Sequence, residues 1–213
     1  MLYSLAKKMY DRSVLAGRVV CFSIRLGYNP KQEISGGYAI YMVFSYYNKL
    51  SAAAKRVYRQ SDGIHTVPLP QGAELQALIP RMARALAEED RGAVEELCRE
   101  LAKGIATRLN VPPLRVKVLA VRPSASWGEL HGLYELAEGR ASAVITLWMR
   151  TAKQKRVVAF KAFLRTLLHE LCHHLDYELF KLADSFHTEG FYKRESSLFH
   201  QLAPPAPVIA VRK

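Results

Sequence analysis

Cysteine is scarce in this chain of 213 residues: there are three, Cys21, Cys98 and Cys172, and no two form a CxxC pair. A four-cysteine zinc ribbon is thereby excluded, and an odd count suits a reducing compartment better than a secreted disulfide scaffold. Long apolar runs are also missing. The greasiest segment, YAIYMVFSYY at Tyr38 to Tyr47, is rich in tyrosine and far short of the roughly 20 residues that span a bilayer. Lys7 and Lys8 are followed by Asp11 and Arg18, which interrupt the apolar stretch a secretory signal needs. The expectation is a cytoplasmic protein with no membrane partner. Internal repeats and low-complexity tracts are absent too.

Acidic residues are few beside basic ones, 19 against 31, so the net charge is +12 and the pI near 9.7. Such a balance favours polyanionic partners, DNA or RNA above all, or else reflects a generally basic surface. The excess is spread along the chain. Lys55, Arg56 and Arg59 lie in AAAKRVYRQS, Lys153, Lys155 and Arg156 in RTAKQKR, and the chain finishes on VRK.

Half of the residues are hydrophobic, enough for one sizeable core. RVVCFSIRLGY and YAIYMVFSYY look strand-like, separated by the turn-rich NPKQEISGG. SAAAKRVYRQS reads as a short basic helix with Ser51 as its N-cap. VPLPQG, Val67 to Gly72, marks a boundary. Beyond it, Val94, Leu97, Cys98, Leu101, Ile105 and Leu109 recur at helical spacing, with Pro80 and Gly92 expected to break or start helices. LRVKVLAV reads as a strand, and ELHGLYELAEGRASAVITLWMR as two more around the turn AEGR. A long helix is expected from about Lys155 to Leu182. This order predicts an α+β fold, a small antiparallel or mixed sheet packed against helices. The expected division is a basic N-terminal region at 1–66, a main domain at 67–205 and a tail at 206–213.

Four of the seven histidines fall within His169 to His187, and the first two belong to an H-E-x-x-H motif. At about 100° per residue, His169 and His173 stand about 40° apart on successive turns of a helix. Their imidazoles can therefore reach one ion. Glu170 lies beside that ion, placed to take a proton from an activated water. Leu164, Leu167, Leu168, Leu171 and Leu175 occupy the opposite face and would anchor the helix in the core. His174 points away from the pair and reads as a surface or outer histidine. Asp176, one turn below His173, either orients a ligand imidazole or is a solvated helix carboxylate. A catalytic zinc takes three protein ligands and keeps one position open. His187 supplies the third if the chain turns back through KLADS and starts a second helix.

At these residues the chain resembles the SprT-like zinc metallopeptidases. LRTLLHELCHHLDY followed by HTEGFYKRESSL carries the likeness, which extends loosely over Gln71 to Leu202. Thr188 replaces the glycine usual after the third histidine, the C-terminal zinc ribbon of some relatives is absent, and the first 65 or so residues match nothing in the pattern. The resemblance implies zinc held by His169, His173 and His187, with Glu170 as general base and then proton donor to the leaving amine. It also implies a protein substrate, in some relatives one bound to DNA. Tyr192 and Arg194, just after the third histidine, are the candidate oxyanion donors. Two other readings compete: a nucleic-acid-binding protein with a non-catalytic zinc site, and a metal-free helical domain with surface histidines.

Overall fold

The structure is a computed structural model that describes residues 20–22, 46–70, 72–125, 128–137, 139 and 141–203. Six short strands and five α-helices are formed by these residues. Most of YAIYMVFSYY and the tail at 206–213 lie outside them. Strand β1 (Val20–Phe22) falls within the first strand-like stretch. A 3-10 turn, Tyr47–Lys49, leads to α1 (Ala52–Asp62), where the Ser51 hydroxyl accepts a hydrogen bond from Ala54 N. A cap of this kind contributes about 1 kcal/mol.

Helix α2 (Ala73–Ala87) buries Leu75, Leu78, Ile79, Met82, Ala85 and Leu86 on one stripe. Pro80 lies inside it and does not break it, contrary to expectation. Proline in a helix interior costs about 3 kcal/mol, but this one is exposed while six side chains around it are buried, and their packing outweighs one lost hydrogen bond. Helix α3 (Arg91–Arg108) starts at the Asp90 cap, with Gly92 in its first turn as expected.

Strands β2 (Arg115–Val121), β5 (Gly132–Glu135) and β6 (Val144–Arg150) build the sheet with β1, in the order β1-β5-β6-β2. The sheet is mixed: β2 runs parallel to β6, while β5 is antiparallel to both β6 and β1. A small hairpin of β3 (Ser124–Ala125) and β4 (Gly128–Glu129) was not foreseen from the sequence. The β2 edge is covered by α3. Arg91 and Arg99 donate to the carbonyls of Val118 and Val116, and Glu95 accepts from Val118 N. Side chains thus occupy groups that would otherwise invite another strand.

Helix α4 (Phe160–Glu178) crosses β5 and β6 and carries the H-E-x-x-H motif. It is shorter than predicted at both ends. Before it, Val157 bridges to Arg150 and Val158 N donates to Met149 O, so the chain stays extended alongside β6. After it, Leu182 N donates to Asp176 O and Lys181 adopts a left-handed φ of 52°. Helix α5 (Glu189–Leu202) begins at Thr188, whose hydroxyl accepts from Phe191 N. The core lies between the sheet and α2 to α5, and Val116, Val118, Ile145, Leu147 and Met149 share one buried cluster with Leu164, Leu167, Leu168 and Leu171. Among the described residues no helix is long and apolar enough to cross a membrane.

Val67 and Leu69 are buried in the main core, and Gln201 of α5 donates to Val67 O and accepts from Leu69 N. Helix α1 packs on α5, so residues 46–66 belong to the same body as the rest. The two helices meet where Gly190 presents no side chain. A Cβ there would lie 2.4 Å from Asp62 O and 2.6 Å from Ser61 O. Gly190→Ala must push backbone apart, and an overpacking loss of about 1–3 kcal/mol is expected. Chemical denaturation checks this; unchanged stability would mean that α1 and α5 are not in close contact.

Candidate metal centre

Helix α4 stacks His169 over His173, and the loop between α4 and α5 returns His187 to them. The Nε2 atoms of His169 and His187 are 2.9 Å apart, and those of His187 and His173 3.2 Å. All three ligand atoms lie within 4.8 Å of one another. Tetrahedral bonds of roughly 2.0–2.1 Å to zinc would separate two nitrogens by about 3.3 Å, so the spacing is that of ligands around one small ion. His169 and His173 are buried and His187 half-buried. Burial, reinforced by His187, His169 and Arg194, holds the His173 imidazole well below its usual pKa. Burial and His169 bring His187 down to about 3. Both are therefore neutral near pH 7, the form that binds a metal.

The far nitrogens are held from behind. His169 Nδ1 is 3.2 Å from Glu195 Oε2, and the other oxygen of Glu195 accepts from Arg165 Nη1 at 2.8 Å. His173 Nδ1 is 2.7 Å from Ser185 Oγ, which donates to Asp176 Oδ2 at 2.7 Å. These contacts leave Nε2 of each ring facing the centre. Asp176 thus acts on His173 through Ser185, and with no exposed surface it is not a solvated carboxylate. Burial pushes its carboxyl up to about 6, although Arg194 and Ser185 pull it down.

Sequence reasoning missed Glu195 and Ser185. One signal for Glu195 was available. Phe191, Arg194, Glu195 and Leu198 recur at three and four residues on the buried stripe of α5, and two charged residues on such a stripe call for partners. Ser185 sits in a loop, where no periodicity marks it.

Glu170 is fully buried, and neither carboxylate oxygen has a hydrogen-bond partner. Burial raises its pKa well above the usual carboxylate range, with Glu195 adding to the effect. Gly132 of β5 makes room for it: a Cβ there would fall 2.3 Å from Glu170 Oε1. An unpaired buried carboxylate costs several kcal/mol. Its need for a partner, together with three imidazoles that bring their Nε2 atoms together, fits a divalent cation carrying an oxygen ligand.

The remaining candidates fall differently. The Tyr192 ring is 6.0 Å from the rings of His169 and His187, at the border of the cluster. Arg194 is not turned toward a substrate. It is wholly buried, with its guanidinium on Asp176, Ser61 and Ile64. His174 is not a surface residue either: its Nδ1 is 3.0 Å from Tyr134 Oη and its Nε2 2.9 Å from Pro112 O. The contacts tie α4 to β5 and to the loop before β2. Lys55, Arg56 and Arg59 lie on α1, and Lys153, Lys155 and Arg156 on the turn between β6 and α4.

The chain matches no protein-family model, no curated protein and no solved structure.

Replacing His169, His173 or His187 by alanine should in each case abolish stoichiometric binding of a divalent metal, measured by elemental analysis after dialysis. Glu195→Ala should keep the metal but weaken it roughly 10- to 100-fold. Full occupancy in His187→Ala would remove that residue from the ligand set.

Proposed function

We propose that the protein is a zinc-dependent peptidase whose centre is His169, His173 and His187, with Glu170 as its general base. The observation that carries this reading is the Glu170 carboxylate, buried without a partner one residue along α4 from His169, on the helix that also supplies His173 to the histidine cluster. A structural zinc site has no use for such a group and would be more stable without it. Three protein nitrogens are also one short of a closed tetrahedral site, the pattern of catalytic rather than structural zinc. Zinc in this position acidifies a water and polarises a carbonyl.

The chain's own residues would do the rest. His169 and His173 keep their Nε2 lone pairs inward because Glu195 and Ser185 engage the opposite nitrogens. Glu170 takes a proton from the attacking water and returns it to the departing amine, a shuttle suited to a carboxyl whose pKa burial raises. Gly132 leaves the space in which that carboxyl moves. The likeness of HELCHHLDY and HTEGF to SprT-like metallopeptidases supports a peptide bond as the substrate. Of the two oxyanion candidates Tyr192, whose ring borders that of His187, is retained, because Arg194 is engaged by Asp176, Ser61 and Ile64.

Glu170→Gln retains shape but not basicity. It should bind zinc like the parent while cleavage of an unfolded protein, assayed with and without DNA, falls about 100- to 10,000-fold. Equal cleavage by parent and variant would overturn the assignment of the base. A zinc-loaded parent that cleaves nothing under either condition would favour a non-catalytic centre. DNA as a partner rests on the net charge of +12 and on the exposed Arg56, Arg59, Lys153, Lys155 and Arg156. Binding should weaken steeply between 50 and 200 mM salt, by about 10³-fold or more if six phosphates are contacted. No retention on DNA at the lower salt would leave the charge as a property of the surface alone.

A further inference from the structure

Two of the three histidines are tied to residues at the start of the described core, more than a hundred positions away in sequence. The Tyr46 hydroxyl donates to the main-chain carbonyl of His187 at 2.9 Å. The second tie runs through Arg194. Its Nη1 donates to Ser61 O and Ile64 O, both at 2.6 Å, and its Nη2 to Ser61 Oγ at 2.9 Å and Asp176 Oδ1 at 2.8 Å. Ser61 lies in the last turn of α1, so a buried guanidinium sits at the negative end of that helix. From Asp176 the path continues through Ser185 to His173 Nδ1. Asp62 accepts from Gly190 N, which fixes the loop carrying His187. His169 is held separately, by Glu195 and Arg165.

We propose that Tyr46 to Ile64 is a positioning clamp for the metal centre, with Tyr46 setting His187 and the Ser61–Arg194–Asp176–Ser185 path setting His173. The proposal rests on the reading of the three histidines as metal ligands. These are positioning residues, since none of Tyr46, Ser61, Arg194, Asp176 and Ser185 contributes a ligand nitrogen. The geometry has a physical consequence. Arg194 Nη1 finds its two carbonyl partners only when α1 is docked on α5, and Asp176 is buried with its charge balanced only when Arg194 is so placed. Displacement of α1 would leave two buried charges poorly partnered, and the cheapest relief is for the α4–α5 loop to move, taking Ser185 and His187 with it.

The test uses the full chain loaded with zinc or cobalt(II). Zinc affinity is read by competition with a chelator, and ligand geometry by the visible absorption of the cobalt form. Ser185→Ala should weaken zinc about 10- to 100-fold and shift the cobalt bands, while Ser185→Thr, which keeps the hydroxyl, restores both. Tyr46→Phe and Ser61→Ala should each weaken zinc roughly 2- to 10-fold, with altered bands. Gln201→Ala is the control. It cuts the bonds from α5 to Val67 and Leu69 and should lower stability without changing affinity or spectrum. Unchanged affinity and bands in Tyr46→Phe and Ser61→Ala would overturn the clamp while leaving the metal centre in place. Equal changes in Gln201→Ala would reduce the effect to general stability and overturn it too. A parent chain that takes up no zinc would defeat the metal-centre reading and the clamp together.

Discussion

Three imidazole nitrogens held within 4.8 Å of one another in a largely buried part of the fold form the constraint on which the rest of the structure depends. Lone pairs brought together in this way repel, and burial lowers the pKa of His173 and His187, which disfavours relief by protonation there. The arrangement is stable only with a cation among the nitrogens, or with rings braced firmly enough to resist turning away. The fold supplies the bracing. Glu195 and Arg165 hold His169, Ser185 and Asp176 hold His173, and Tyr46 holds the backbone of His187. Bracing of two rings and of the backbone of the third histidine sets this cluster apart from scattered helix histidines turned to water.

The same site sets opposing pH dependences for the metal-free fold. His187, at about 3 when folded against 6.5 as the ordinary value, binds its proton more readily in the unfolded chain. Its share of stability is whole above pH 6.5 and is lost as the pH falls toward 3. His173 acts in the same direction. Asp176, raised from 3.8 to about 6, does the opposite: the folded state takes up its proton first, and stability is lost as the pH rises through that window. Glu170 follows Asp176 in sign. A bound divalent cation would resolve the conflict at neutral pH, because neutral imidazoles and ionised carboxylates are the forms it favours.

Much of the framework was legible in the sequence because local rules govern it. The Ser51 cap, the stripe of α3, the strands at 115–121 and 144–150 and the phase of His169 and His173 each follow from a few neighbouring residues. Expectation failed where distant contacts compete with local preference. Pro80 stays helical because six buried side chains hold α2 together, and α4 starts at Phe160 because Val157 and Val158 pair with β6. At residue 67, two prolines and a glycine mark a change of direction, and Val67 and Leu69 there are buried in the core.

Residue identity and helical periodicity alone thus determined that His169 and His173 share a face, that Glu170 stands beside them and that His187 is available as a third ligand. Only the tertiary structure decided that the three nitrogens converge, that Glu170 is left without a partner and that Arg194 lies inside the fold rather than in a site. The physical reason is the range of the forces. Helix phase is settled over four residues. Burial, which lowers the pKa of His173 and His187 and makes an unpaired carboxylate costly, is settled only when α1, β5 and α5 close around α4.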